Sequence, residues 1–181
     1  MSAGDRGAAR PDGGAGHKLG IRAAHALILS VIAGLCGLAA PAAAADCDVA
    51  GFEAAREGQG AAVLCIERPE GPLRLSVEIA DTEAERESGL MGRDHLDPGS
   101  GMIFVYPGPR TVAFWMHDTP LPLDMLFIDA TGRILTIHPD ARPYDETPIW
   151  SGGPIQYVLE IAGGQAAALG LAPGQRVLPL D

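Results

Sequence analysis

The stretch FWMHDTPLPLDMLFID, residues 114–129, decides how the rest of this chain is organised. It contains the end of one predicted strand, 111–117, and the whole of a second, 124–129, because both segments are short and rich in large apolar side chains. Pro120 and Pro122 lie between them and cannot donate ladder hydrogen bonds. The stretch therefore predicts two strands with an irregular connection between them.

Alternation along the first of these strands separates core from surface. Phe114 and Met116 lie on one face and Trp115 and His117 on the other, since successive side chains of a strand point to opposite sides. We expect the first pair to pack in the core. The second pair lies near the end of the strand, where scaffolds commonly present functional groups.

The segments on either side predict a mainly β fold. Residues 73–79 alternate apolar and polar side chains, which is typical of a half-buried antiparallel strand, whereas 102–106 is apolar on both faces and indicates a central strand. With about eight short strands, we predict a single-domain antiparallel β-sandwich or partly closed barrel.

Two short helices and two irregular connections complete the prediction. The first helix, 82–91, begins where Thr82 and Glu85 have the spacing of a capping box, and the second is expected at 163–169. Residues 107–109 predict a turn, and 139–154 predict a long surface loop.

The first 45 residues are expected to direct export and not to fold with the domain. Lys18 and Arg22 precede the apolar run 26–40, and a tract of small residues ends at Ala45. This is the order of a secretory signal peptide with cleavage after Ala45; the alternative is an N-terminal anchor that is retained. We therefore expect a periplasmic or secreted protein without membrane insertion after cleavage.

Two cysteines remain after the signal peptide, Cys47 and Cys65. An even pair in an oxidising compartment predicts a disulfide, which would pin residues 46–72, a leader and first strand, to the β domain 73–181. The alternative, a redox or metal-binding thiol pair, lacks a CxxC spacing.

Several blocks along the chain carry a resemblance to a known family. They are GLMGR at 89–93, GMIFVYP at 101–107, FWM at 114–116, PLDMLFID at 122–129 and VLE at 158–160. In this order they resemble domain of unknown function 192 (DUF192), small proteins of bacteria and archaea that often carry an export signal. The resemblance implies a mainly β, sandwich-like fold and no known activity. His117 and Asp118 stand where the family typically has Lys-Asn, so a role that needs the lysine charge does not transfer.

The charge of the chain excludes some partners. The formal net charge is −10 at pH 7, and it becomes more negative once the basic N-terminal segment is removed. Such a surface repels nucleic acid and anionic lipid headgroups. We expect neither as a partner.

One cleft is the main candidate for a site. Its candidate ligand-binding residues are Arg93, Trp115, His117, Asp118, Thr119 and Asp124. An Asp beside a His can orient the imidazole and raise its pKa, and Arg93 could form a bidentate pair with Asp124. The structural alternative is that Asp124 and Thr119 satisfy loop amides while Trp115 packs under a loop.

Three functions remain open. The first is binding of a small ligand, a sugar or a peptide, against Trp115. The second is a hydrolase-like enzyme that uses His117 with Asp118 or Asp124, although no activated nucleophile accompanies them. The third is a cell-envelope interaction module that presents Trp150.

A metal site is the least supported alternative. It would need the fold to gather His95, His117 and His138 with Asp118 and Asp140, and no two of these histidines have the spacing of a local ligand motif. We expect no metal and no cofactor.

Overall fold

The computed structural model describes residues 49–56 and 61–180. In these ranges the chain forms three short helices and nine strands. In chain order they are α1 Val49–Arg56, β1 Ala62–Ile66, β2 Leu73–Ala80, α2 Glu83–Ser88, β3 Ser100–Arg110, β4 Ala113–Phe114, β5 Leu123–Ile128, β6 Ile134–Ala141, β7 Ile149–Trp150, β8 Ile155–Ala162, α3 Gln165–Ala168 and β9 Val177–Leu178.

Seven of the strands form one curled sheet in the order β6-β5-β8-β3-β2-β1-β9, and β4 pairs with β7 in a separate two-stranded ribbon. The prediction of a mainly β fold of sandwich or partly closed barrel type is confirmed. One pair departs from the antiparallel prediction, because β2 and β3 run parallel. The connection through α2 is long enough to return the chain to the same end of the sheet, which a parallel pair requires.

The first face of the sheet packs against helices. Ile103, Leu126 and Leu159 lie on it, with Phe52 from α1 and Ala166 from α3. Helix α1 lies within the leader predicted for residues 46–72 and is not one of the two helices that the sequence predicted. Phe52 and Ala55 are buried, so the helix is stabilised by packing of one face and not by the composition of the segment.

The second face of the sheet packs against the β4–β7 ribbon and the segment that follows α2. Phe104, Phe127 and Val158 lie on this face, covered by Met116 and Leu90. The ring of Phe114 lies 5.0 Å from that of Phe104 and 6.1 Å from that of Phe127, edge-on to both. Phe114 and Met116 are therefore on the core side, as predicted.

Helix α2 begins as predicted and ends early. The Thr82 hydroxyl accepts from the Glu85 amide at 3.3 Å, and the Glu85 carboxylate accepts from the Thr82 amide at 3.0 Å, which completes the capping box. The predicted helix 82–91 stops at Ser88 because Gly89 adopts φ +46°. A Cβ on Gly89 would lie 3.2 Å from Phe104 Cζ, so glycine also allows this close approach.

Two irregular segments contain more strand than predicted. Strand β3 continues through 107–109, with a register shift against β8 between Val105 and Arg110; such a bulge accommodates residues that cannot donate a ladder hydrogen bond. Strand β4 is correspondingly shorter than the predicted 111–117. Within 139–154, β6 extends to Ala141 and β7 pairs with β4.

Several predictions concern residues outside the described ranges. Cys65 is buried in β1, but its predicted partner Cys47 and the signal peptide 1–45 lie outside them. No helix in those ranges has the length and apolar character that a membrane crossing needs.

Candidate functional site

A cavity of about 360 Å³ lies on the second face of the sheet, between α2 with its following segment, β3 and β4. A volume of this size is in the range of small-molecule sites. The lining residues are Arg86, Glu87, Gly89, Leu90, Met91, Phe104, Tyr106, Ala113, Phe114, Trp115, Thr119 and Glu160.

Glu160 of β8 is the buried acidic residue of this cavity. Its side chain shares a sheet face with its ladder neighbours Met102 and Met125, and the residue is only 4% exposed. No hydrogen bond to its carboxyl is found within the described ranges. Burial raises the pKa of Glu160 to about 8, because removal from water penalises the charged form. At neutral pH the group is therefore mostly a protonated carboxylic acid, which can both donate and accept a hydrogen bond.

Arg86 and Tyr106 form the wall beside Glu160. Arg86 Nη1 donates to the Val105 carbonyl at 2.9 Å and also to the Asp81 carbonyl, and its guanidinium lies 5.3 Å from the centre of the Tyr106 ring. Burial raises the pKa of the Tyr106 hydroxyl, and Arg86 opposes that shift.

Trp115 lines the cavity and is 52% exposed. The adjacent Phe114 anchors the ribbon in the core, so Trp115 is held outward with its ring available to a solute. Thr119 also lines the cavity; its hydroxyl donates to the His117 carbonyl at 3.0 Å. Of the six candidate ligand-binding residues, the structure brings these two, Trp115 and Thr119, to one cavity.

His117 and Asp118 lie next to the cavity but do not line it. The His117 ring centroid is 5.3 Å from that of Trp115. His117 Nδ1 lies 2.7 Å from Glu146 Oε1, and Nε2 lies 3.4 Å from Asp118 Oδ2. The pKa of His117 is raised, first by the hydrogen bond with Glu146 and then by the charge of Asp118. The acidic neighbours stabilise an imidazolium on an exposed surface.

Asp124 is buried on the opposite face of the sheet from Glu160 and does not meet His117. It accepts hydrogen bonds from the amides of Asp140 at 2.7 Å, Gly164 at 2.9 Å and Ala166 at 2.6 Å. Asp124 therefore has the structural role that the sequence analysis gave as the alternative, because it satisfies backbone amides. These hydrogen bonds connect β6 to the start of α3.

Arg93 does not pair with Asp124. Its guanidinium donates to both carboxylate oxygens of Glu78, at 2.8 and 2.7 Å, in an exposed bidentate pair. The pKa of Arg93 is raised by this hydrogen bonding. The pair ties the segment after α2 to β2, which places Arg93 in support of the cavity wall and not in the cavity.

The histidines considered for a metal site are not gathered. Across the part of the chain that the structure describes, no three His, Cys, Asp or Glu side chains are grouped so as to hold a metal ion. His95 pairs with Asp97 at 3.0 Å, and His138 lies with Asp140 beside a separate depression under Trp150.

The sequence-based site missed Glu160 and Glu146. Glu160 carries a recognisable signal, an ionisable residue in the run VLEIA of a strand otherwise buried. Glu146 carries none, because it meets His117 only through the path of the loop between β6 and β7.

Comparison with known proteins finds a family model and several similar solved structures. The model DUF192, described as Uncharacterized ACR, matches residues 65–178. A crystal structure from Sinorhizobium meliloti 1021, described as a candidate transcription regulator, is 42% identical with a TM-score of 0.62, covering 64% of this chain and 90% of its own. One from Novosphingobium aromaticivorans DSM 12444, described as a protein of unknown function, is 41% identical with a TM-score of 0.63, covering 65% of this chain and 84% of its own. No curated protein matches the chain.

Proposed function

This chain belongs to the DUF192 family, and we propose that it is an exported protein that binds a small ligand. The ligand is a sugar or a peptide, and it binds in the cavity beside Trp115. Export rests on the signal-like N-terminal segment, and the corresponding location is the periplasm or the medium.

One observation carries the proposal: the buried carboxyl of Glu160, which has no hydrogen-bond partner among the described residues, lines a cavity that also has an exposed aromatic face. Buried polar groups in folded proteins nearly always have a partner, so one left without a partner beside a cavity marks a place where a ligand completes the hydrogen bonding. Trp115 and Phe104 supply the apolar surface, and Thr119 supplies a hydroxyl. A few polar groups in an otherwise apolar concavity are typical of binding sites.

The hydrolase alternative receives less support. His117 pairs with Glu146 and Asp118 on the surface, and Asp124 is occupied by three backbone amides on the other face of the sheet. The pair that the sequence suggested is therefore not assembled around the cavity.

The Sinorhizobium protein is described as a candidate transcription regulator, and we do not propose that role for this chain. A net charge of −10 opposes association with a phosphate backbone. The proposed partners exclude nucleic acid.

A second function is supported by the β4–β7 ribbon. Trp150 is 65% exposed and pairs in register with Ala113, so it shares a face of the ribbon with Ala113 and Trp115 but does not itself line the cavity. Large exposed aromatic residues are common in protein interfaces. We propose contact with another cell-envelope protein as the alternative role of this face.

Thermal unfolding in the presence of a panel of monosaccharides and short peptides tests the first function. A ligand that binds the folded state raises the melting temperature. We expect that rise to be lost in Trp115→Ala and in Glu160→Gln and kept in Trp150→Ala, a matched control outside the cavity. A rise that survives both cavity variants places binding elsewhere and contradicts the proposal.

A further inference from the structure

We infer that the cavity beside Trp115 recognises a primary amine, carried either by an amino sugar or by the free N-terminus of a peptide, and that the carboxyl of Glu160 is the group that binds it. This inference rests on the proposed binding function and specifies its ligand chemistry.

The position of Glu160 leaves its carboxyl available to a ligand. The residue lies in β8 with β3 on one side and β5 on the other, and its ladder neighbours there are Met102 and Met125. Neither thioether can neutralise a carboxylate. Strands border Glu160 on both sides and the residue is only 4% exposed, so the cavity is the side from which a partner can reach its carboxyl.

The charges around the cavity favour a cation over an anion. Among the described lining residues, three have acidic or basic side chains: Arg86, Glu87 and Glu160. The Arg86 guanidinium is already held by the Val105 and Asp81 carbonyls and faces the Tyr106 ring. An anionic ligand would meet two carboxyl groups, and the net charge of −10 would oppose its approach.

The protonation state of Glu160 in the complex should differ between an amine ligand and a neutral ligand. Because burial raises its pKa to about 8, the empty cavity holds a carboxylic acid at pH 7. A bound ammonium favours the carboxylate, so the Glu160 proton passes to the buffer when the ion pair forms. A neutral hydroxyl or amide ligand hydrogen-bonds the acid and leaves that proton in place.

The apolar part of the cavity determines which groups can be attached to the amine. Trp115 presents its ring, and Phe104 and Leu90 line the interior. A sugar ring can stack on Trp115, and an apolar side chain can pack on the same surface. Both sources of the amine are therefore compatible with the cavity, and the experiment separates them.

Isothermal titration calorimetry at pH 7 with two matched pairs of probes tests the inference. The first pair is D-glucosamine and D-glucose; the second is Leu-Ala amide and N-acetyl-Leu-Ala amide. We expect one amine probe to bind at least tenfold more tightly than its neutral counterpart, and which pair shows this difference identifies the source. Repeating the titration in buffers of different ionisation enthalpy should show net release of close to one proton from Glu160, after correction for the ligand's own titration.

Variants locate the effect. Glu160→Gln should weaken binding of the amine probe at least tenfold and abolish the proton release from Glu160. Glu70→Gln, the matched change at an exposed carboxylate that does not line the cavity, should keep both. If Glu160→Gln does not fold, Glu160→Met, which extends the neighbouring methionines, replaces it, and the proton release of the unmodified protein tests the inference without any variant.

Each opposing outcome is distinct. Equal binding of a neutral probe, or amine binding without proton release, overturns the amine inference and leaves Trp115-dependent binding standing. Failure of all four probes also overturns it, while the broader thermal panel decides the proposed function separately. Loss of Trp115 dependence in that panel contradicts both.

Discussion

At the scale of single residues, Glu160 and Asp124 show how environment separates two buried acidic groups. Both lie in central strands and both are almost fully buried. Asp124 accepts three backbone amides, which stabilise a carboxylate, whereas Glu160 has no such donor among the described residues. One is therefore structural, and the other is a group that a ligand can complete.

Glu160 should make the protein less stable as the pH rises. Its pKa is raised in the folded state, so between the usual glutamate value of 4.5 and about 8 the folded protein binds more protons than the unfolded chain. The free energy of unfolding then falls as the pH increases through this window. We expect Glu160 to contribute a loss on the order of 3 kcal/mol between pH 5 and pH 8.

Urea unfolding across that pH range measures the effect. In Glu160→Gln this part of the decline should disappear, while the part due to His117, whose pKa is also raised, remains in both proteins. Parallel pH profiles of the two proteins would show that Glu160 ionises normally.

Asp124→Ala should destabilise the fold by about 4 kcal/mol or more, because three buried amides lose a charged acceptor. Chemical denaturation measures this change. Asp94→Ala, at an exposed position, is the control and should change stability by less than about 0.5 kcal/mol. A small effect at Asp124 would mean that its hydrogen bonds are replaced by water.

At the scale of elements, α2 and the segment after it form one wall of the cavity. The capping box starts the helix, Gly89 ends it, and the Arg93–Glu78 pair ties the following segment to β2. The sequence indicates the start correctly because capping depends on residues three positions apart. The predicted end of the helix lies three residues too late. The helix ends before Gly89, where the backbone turns to φ +46° and passes close to the Phe104 ring, a contact between residues distant in sequence.

Thr82→Ala should lower the free energy of unfolding by about 1 kcal/mol, the usual cost of a lost N-cap. Because Glu87, Leu90 and Met91 line the cavity downstream of this cap, ligand-induced stabilisation should also decrease. Thermal unfolding with and without ligand measures both. Thr111→Ala, at an exposed position, should change neither the stability nor the ligand-induced stabilisation. An equal loss in Thr111→Ala would show that the effect of Thr82→Ala does not come from the N-cap.

At the scale of the whole molecule, the two faces of one sheet have different roles. The first face is covered by α1 and α3, and Asp124 on this face binds the amides that connect β6 to the start of α3. The second is covered by short irregular pieces, which leave the cavity over Glu160. A core covered by a ribbon of two-residue strands and by loops leaves concavities more readily than one covered by helices.

The predicted disulfide between Cys47 and Cys65 would fasten the N-terminal segment to β1 of this sheet. A loop of about 18 residues corresponds to roughly 3 kcal/mol by the chain-entropy estimate. Reduction should lower the free energy of unfolding by about that amount, and non-reducing peptide mapping of the exported protein should recover the linked pair. Recovery of free thiols from oxidising conditions would contradict the prediction.

Local patterns by themselves determined the mainly β fold, the start of α2 and the inward side of Phe114 and Met116, because alternation and capping act over a few neighbouring residues. The stretch 114–129 contributes Phe114, Trp115 and Thr119 to the lining of the cavity, and Thr119 is its only polar residue there besides Trp115. Only the tertiary structure decided that Asp124 faces α3, that Arg93 meets Glu78 and that Glu160 lines the same cavity as Trp115. These outcomes depend on which strands become neighbours and in which register, and sequence separations of up to 45 residues between Trp115 and Glu160 carry no local signal of that pairing.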